Sequence, residues 1–338
     1  MTENLLDALE RPLMDLRISV TDRCNFRCQY CMPKDIFGKD YNFLPHAELL
    51  TFEEIARFVN VVAPYGLNKV RITGGEPLVR KDLEVLISKL RQGHPELEIA
   101  MTTNGSLLPQ KAQKLKENGL DRVTVSLDSL EDEVFMAMND VSFPVEKVLD
   151  GIRAAEEYDL RPIKINMVVK RGVNGDSILP MAEYFRKQEH TLRFIEYMDV
   201  GSTNGWKMDD VIPAKEILER IHQVYPLEAV DPDLPSDVAK RWKYADGKGE
   251  IGLIASVTDP FCGDCTRLRL SAVGELFTCL FGNAGHNIKS LLRGGASDQD
   301  LADFVASLWH RRTDNYSEVR SQEGSGDTKR VEMSYIGG

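Results

Sequence analysis

Six cysteines fall into two groups of three, Cys24, Cys28 and Cys31 near one end of the chain and Cys262, Cys265 and Cys279 near the other. A structural zinc site is closed by four ligands, and a saturated cubane iron–sulfur cluster takes four thiolates. Three thiolates leave one coordination position open at each site, where a small molecule can bind the metal. The pattern therefore points to chemistry at two metal centres. A zinc site completed by histidine fits the first group poorly, because the six histidines are scattered and only His46 lies near. A ferredoxin-like electron carrier wants a fourth cysteine close by. The second group could be half a zinc ribbon, but Cys279 stands alone where a second C-x2-C is required. A second cubane with an open iron fits better.

Next to the second group lies Thr266-Arg267-Leu268-Arg269. On a strand, residues i and i+2 share a face, so both guanidiniums point one way, a pairing suited to charge-assisted contacts with a polyanion. Arg17, Arg71 and Lys164 sit inside short apolar stretches. Charge in such places is costly to bury unpaired, so these residues are expected to line an interior site. Together they suggest a triphosphate-sized anion. No phosphate loop of the G-x-x-x-x-G-K-[ST] kind occurs, so side chains must do the recognising.

The elements that would position these residues follow from the hydrophobic pattern. Strands are expected at 15–20, 69–73, 98–103, 122–127, 162–169 and 192–197, alternating with helices at 83–90, 111–117, 145–158 and 177–187. The first helix is announced by a capping box, Thr51 and Glu54, ahead of Ile55, Phe58, Val61 and Val62. Such units match a (β/α) barrel, but eight of them need about 250 residues and only six fit. The expected fold is α/β, a partial (β/α)6 TIM-like barrel, with a doubly wound open sheet as the alternative. In either, active-site residues gather at the C-terminal ends of strands, where the first cysteine loop, Gly74-Gly75-Glu76-Pro77, Thr102-Thr103-Asn104-Gly105 and Ser126-Leu127-Asp128 all fall. After Met198 the rhythm stops and residues 201–250 read as polar and turn-rich, with strands following at 252–257 and 267–272. The expected division is a barrel over 1–200, a smaller C-terminal domain over 201–312 carrying the second cluster and covering the barrel's open side, and a polar tail over 313–338, mobile until its apolar end.

Composition narrows the partners. With 42 Lys and Arg against 53 Asp and Glu, the chain lacks the basic footprint of a nucleic-acid binder. No leader-like segment and no run of ~18 apolar residues is seen, so no membrane partner is expected. A cytoplasmic location is expected, where thiols stay reduced.

The spacing C-x3-C-x2-C, with Tyr30 before the third cysteine and Gly-Gly-Glu-Pro downstream, resembles the radical S-adenosylmethionine (SAM) superfamily. The resemblance implies a 4Fe-4S cluster whose open iron is chelated by SAM, and one-electron cleavage of SAM to a 5′-deoxyadenosyl radical. It also implies SAM contacts at Gly75, the Tyr30 backbone, Ser126 and the Met198 backbone. The opening 11–24 (RPLMDLRISVTDRC), RITGGEP at 71–77, C-x2-C-x13-C and the terminal Gly337-Gly338 narrow the likeness to one branch. Members of that branch cyclise GTP in the first step of molybdenum cofactor biosynthesis.

This likeness implies a second 4Fe-4S cluster that takes the guanine base. It further implies a nucleotide held by Arg17, Arg71, Thr102, Lys164, Arg267, the Leu268 backbone and Arg269, with Arg17, Arg267, Arg269, Gly337 and Gly338 in catalysis. The implied chemistry removes the hydrogen at ribose C3′, joins C3′ to C8, and quenches the adduct with an electron and a proton. Arg193 is expected near the radical centre. The implied partners are an external electron donor and the downstream cyclic pyranopterin monophosphate synthase, with a homodimer as the expected assembly. The terminal glycines would thread into the barrel and bring the carboxylate near Arg17 or Arg193; the plain alternative is a frayed end. The rival readings are a peptide-modifying radical SAM enzyme, which would carry more cysteines near its C-terminus, and a non-catalytic iron–sulfur carrier or sensor, which would need no interior arginines.

Overall fold

A computed structural model describes residues 4–188, 190–232, 237–323 and 330–337. The β-branched stretches form β1 (Asp15–Ser19), β2 (Lys69–Thr73), β3 (Glu98–Thr103), β4 (Arg122–Ser126), β5 (Lys164–Val169) and β6 (Thr191–Glu196), each parallel to the next. Helices α1 (Phe52–Val62), α2 (Leu83–Gly93), α3 (Leu108–Glu117), α4 (Asp132–Asn139), α5 (Val145–Glu157) and α6 (Ile178–Arg186) fill the crossovers. α1 starts where its capping box requires: the Glu54 amide donates to Thr51 Oγ1 at 3.1 Å, and the Thr51 amide to Glu54 at 2.7 Å. Its Ile55, Phe58, Val59 and Val62 are fully buried. On β1, Leu16 and Ile18 face this apolar layer, while Asp15 and Arg17 line an interior cavity. The strand therefore separates core from site by alternation.

The C-terminal half departs from the expectation for residues 201–250. Instead of continuous turns it holds α7 (Ala214–Val224), with Ile217 and Ile221 buried, and strands β7 (Leu227–Val230) and β8 (Lys240–Tyr244). Its strands continue the barrel sheet. β9 (Glu250–Ile254) pairs parallel with β6, and β10 (Arg267–Leu270) pairs parallel with β1. β11 (Glu275–Phe277) and β12 (His286–Asn287) extend one side and β8 and β7 the other, giving one open 12-stranded sheet. Bare edges at β1 and β6 would expose unpaired amides and carbonyls; the later strands satisfy both. The edge strand on this side, β7, is only four residues long, in the manner of a protected edge. Helices α8 (Lys289–Arg293) and α9 (Asp298–His310) pack against the barrel side, with Trp309 fully buried.

The expectation of a mobile tail is corrected over 313–323 and 330–337; residues 324–329 lie outside the described residues. α10 (Tyr316–Glu323) and α11 (Met333–Ile336) are held to the loop after β6. Asp199 there is buried, accepts from Tyr316 at 2.6 Å, and pairs with Arg320 at 2.9 Å and Arg330 at 2.6 Å. Glu332 accepts from the Ser202 amide at 3.0 Å and Thr203 Oγ1 at 2.9 Å. Ile336 is fully buried, and Gly337 follows at φ +76°. Gly338 lies outside the described residues. Among the described residues, no helix is long and apolar enough to cross a membrane.

Candidate active site

A cavity of about 550 Å³ runs through the sheet's interior, and all six cysteines line it. The first cysteine loop follows β1. Arg27 shapes it by donating to the carbonyls of Cys24 (2.8 Å), Phe26 (2.7 Å) and Phe37 (2.6 Å). Cys24 Sγ accepts from the Phe26 amide at 3.3 Å and from Asn104 Nδ2 at 3.9 Å. Burial, with the nearby Glu76 carboxylate, pushes the Cys24 thiol up to about 12, and burial raises Cys28 and Cys31 as well. Such thiols ionise when a metal supplies the missing positive charge.

Gly75 lies against this loop. Its amide donates to the Thr21 carbonyl at 2.7 Å, and a Cβ there would overlap the Arg23 carbonyl oxygen. Glu76 beside it is buried and accepts from Leu78 N (3.0 Å), Thr103 Oγ1 (2.7 Å) and Asn104 N (2.7 Å). Asp128 accepts from Tyr30 Oη at 3.0 Å and from Val168 N at 2.9 Å. Burial raises both carboxyls to about 7. Tyr30, Ser126 and Met198 line the same end. The Met198 carbonyl already accepts from Asn204 Nδ2 and from Val200 N, each at 3.0 Å.

The second cysteine group stands among cations. Cys265 Sγ accepts from Arg267 Nε at 3.3 Å, and Arg312 donates to the Cys265 carbonyl at 2.6 Å. Burial alone would raise this thiol, but Arg267 and Arg312 outweigh it and bring Cys265 down to about 6. Cys279 Sγ accepts from the Phe281 amide at 3.4 Å, and burial lifts it to about 11. Amide or guanidinium N–H groups thus aim at a sulfur in both loops, and none of the six cysteines is in a disulfide.

Between the two ends, Arg17, Arg71, Lys164, Arg193, Arg267 and Arg269 line the cavity. Burial, then neighbouring guanidiniums, bring Lys164 down to about 7 and Arg193 to about 9. Arg71 reaches Thr124 Oγ1 at 3.3 Å and Thr102 Oγ1 at 3.5 Å. Nε of Arg17 and of Arg71 is buried with no hydrogen-bond partner among the described residues. Desolvated cations that repel one another make a site short of negative charge, which a bound polyanion would supply. The two strand arginines divide their contacts: Arg267 holds Cys265, whereas Arg269 donates to the Gly337 carbonyl. At Gly337 the tail meets Arg269, and a Cβ there would overlap the Thr73 methyl; the terminal carboxylate expected near Arg17 or Arg193 is on Gly338, outside the described residues. Leu268 is fully buried and is absent from the cavity lining.

Residues 18–185 match the model of the radical SAM superfamily, and residues 190–318 match that of Molybdenum Cofactor Synthesis C. The chain is 48% identical to a GTP 3′,8-cyclase of Acidothermus cellulolyticus, 47% to one of Staphylococcus saprophyticus and 46% to one of Staphylococcus aureus, with all of both chains covered each time. The chain belongs to the GTP 3′,8-cyclase family. In fold it is also similar to the Streptococcus suis SuiB structures, one of them bound to S-adenosylmethionine. Those two matches have TM-scores of 0.60 and 0.61 at 16% and 13% identity, covering 90% and 93% of this chain and 69% of theirs.

Several lining residues of this family member escaped the sequence reading. Arg122, ion-paired to Glu98, and Asn166, which accepts from Arg193 Nε at 2.9 Å, sit on β4 and β5. Arg312 joins the second loop from beyond α9, and only folding could bring it there. Asp15 was within reach, because the same i, i+2 rule that linked Arg267 to Arg269 links it to Arg17.

Proposed function

We propose that this chain cyclises GTP to (8S)-3′,8-cyclo-7,8-dihydroguanosine 5′-triphosphate, the first step of molybdenum cofactor biosynthesis. The observation that carries the reading is one cavity with a thiol trio at each end and desolvated arginines between them. The donor sets fit the implied groups: three thiols with N–H donors aimed at Cys24 at one end and at Cys265 and Cys279 at the other. Cys24, Cys28 and Cys31 would hold a 4Fe-4S cluster and Cys262, Cys265 and Cys279 a second one. When bound, the first cluster and SAM supply a one-electron cleavage that furnishes the hydrogen-abstracting radical.

The remaining work falls to side chains. Gly75 leaves room for the SAM amino group, and the Tyr30 backbone, Ser126 and the Met198 backbone frame its other parts. Arg17, Arg71, Thr102, Lys164, Arg267 and Arg269, with the Leu268 backbone, orient the nucleotide so that the ribose faces the first loop. Arg269 also fixes Gly337, so the tail that ends in Gly338 closes the cavity beside β1 and β2. Closure keeps water from the reacting centre. The same reading divides the chain into a barrel (1–200), a second-cluster region (201–312) and a tail (313–338). It includes an external electron donor, the downstream cyclic pyranopterin monophosphate synthase, a homodimeric assembly and the reducing cytoplasm.

The test is an anaerobic assay of reconstituted, dithionite-reduced protein with SAM. Addition of GTP is expected to stimulate 5′-deoxyadenosine formation and yield the cyclised nucleotide by mass spectrometry. SAM cleavage indifferent to GTP would discard the reading.

A further inference from the structure

We propose that a buried charge triad, Asp7, Arg11 and Arg312, holds the second cysteine loop from behind and sets the reduction potential of the cluster carried there. The inference rests on the reading that Cys262, Cys265 and Cys279 hold a 4Fe-4S cluster. The three side chains are almost wholly buried, at 0%, 2% and 1% exposure. Asp7 accepts from Arg11 Nε at 2.7 Å and from Arg312 Nη1 at 3.1 Å. Each guanidinium then reaches a ligand residue: Arg11 donates to the Cys262 carbonyl at 2.7 Å and Arg312 to the Cys265 carbonyl at 2.6 Å. One carboxylate thus ties together both cysteines of the C-x2-C turn.

The topology explains how three remote segments meet. Leu6 bridges to Pro12, and the Asp7 amide donates to the Arg11 carbonyl at 3.1 Å, so the chain before β1 folds back on itself with Asp7 beside Arg11. Because β1 lies next to β10, this fold falls beside the turn of Cys262 and Cys265 that precedes β10. Arg312 arrives from the end of α9, its guanidinium 4.6 Å from the Trp309 ring, whose Nε1 donates to the Arg11 carbonyl at 3.1 Å.

A clasp of this kind is costly if holding is its only task. A buried ion triad gains little stability over apolar packing of similar volume, and Arg11 Nη2 is buried with no hydrogen-bond partner among the described residues. What apolar packing could not supply is charge. Two guanidiniums against one carboxylate leave a net positive charge, dehydrated and in contact with the backbone of two ligand cysteines. Asp314 also accepts from Arg312 Nε at 3.3 Å, but it is one-third exposed and screened by water. Charge and hydrogen bonding around the ligands tune the potential of an iron–sulfur cluster, and a fixed cation favours the form that carries the extra electron.

Redox titration of reconstituted holoenzyme, followed by electron paramagnetic resonance, tests this, with the two cluster signals assigned from alanine variants of each cysteine group. Arg312→Gln removes a positive charge and is expected to shift the second cluster to a more negative potential. Asp7→Asn removes a negative charge and is expected to shift it the other way. The first cluster, at the far end of the cavity, should move in neither variant. Loosened packing alone would not reverse the sign between the two. Shifts of the same sign, no shift, or equal shifts at both clusters would overturn the proposal. If either variant fails to load the second cluster, Arg312→Lys, which keeps the charge, should load it and hold the wild-type potential; failure in either respect would equally overturn it. Wild-type protein with a single cluster signal would instead sink the second-cluster reading.

Discussion

At the first cysteine loop the close buried charges are carboxylates, Glu76 and Asp128, whereas the second loop is faced by the guanidiniums of Arg267 and Arg312. Burial, and after it Glu76, pushes Cys24 up, whereas Arg267 and Arg312 overcome burial at Cys265 and draw it down. A sulfonium such as SAM is a cation and is better tolerated at the acidic end. GTP is a polyanion and belongs with the arginines. On the proposed reading, two similar cysteine groups are given different tasks by the charges around them. The shared cavity lets the tasks meet.

The largest expected effects come from removing one end at a time. Replacing Cys24, Cys28 and Cys31 with alanine should abolish SAM cleavage and halve an iron content of about eight per chain. The equivalent triple change at Cys262, Cys265 and Cys279 should keep the first cluster and its SAM cleavage but give no cyclised product. Zinc in anaerobically purified protein, measured by elemental analysis, would end the cluster assignment. Deleting Gly337 and Gly338 should remove product formation while leaving iron content and GTP binding intact, because Gly337 meets Arg269 and Thr73 rather than a cysteine. Full activity in the truncated enzyme would make the docked end incidental.

Arg267→Ala should weaken GTP binding by about 1.5–3 kcal/mol, read by titration calorimetry, for one lost charge-assisted contact. The thermal midpoint should hardly move. For Arg269→Gln it should stay or rise, since after burial Arg269 does most to depress Arg17. A collapse of stability with normal GTP affinity would make these arginines structural.

The smallest effect tests the acidic end. Burial raises Glu76 from 4.5 to about 7, so its contribution to stability is complete below pH 4.5 and is lost as pH rises through 7. Glu76→Gln should flatten that stretch of the stability–pH curve by on the order of 1–3 kcal/mol. An unchanged slope would mean that Glu76 is not the group that titrates there.

Much of the barrel could be read from the chain. Alternation placed β1 to β6 within a residue or two, because each strand's apolar face packs on helices next to it in sequence. The crossover before β5 was less legible: α4 is short and its buried Phe135 and Met138 leave little periodic signal. The tail was misjudged for another reason. Its polar residues are ion-pair partners for Asp199, and a pair more than a hundred residues apart leaves no trace in local composition.

The sequence by itself determined the ligand sets, the strand-end motifs and the arginines, because spacing within a loop or along one strand fixes which side chains act together. The tertiary structure alone decided that β10 lies beside β1 and β9 beside β6, so that the two cysteine groups open into the same space. It also decided that Asp15 Oδ1 is buried among cations with no hydrogen-bond partner among the described residues, since burial and the company of a charge depend on chain segments that local pattern cannot see.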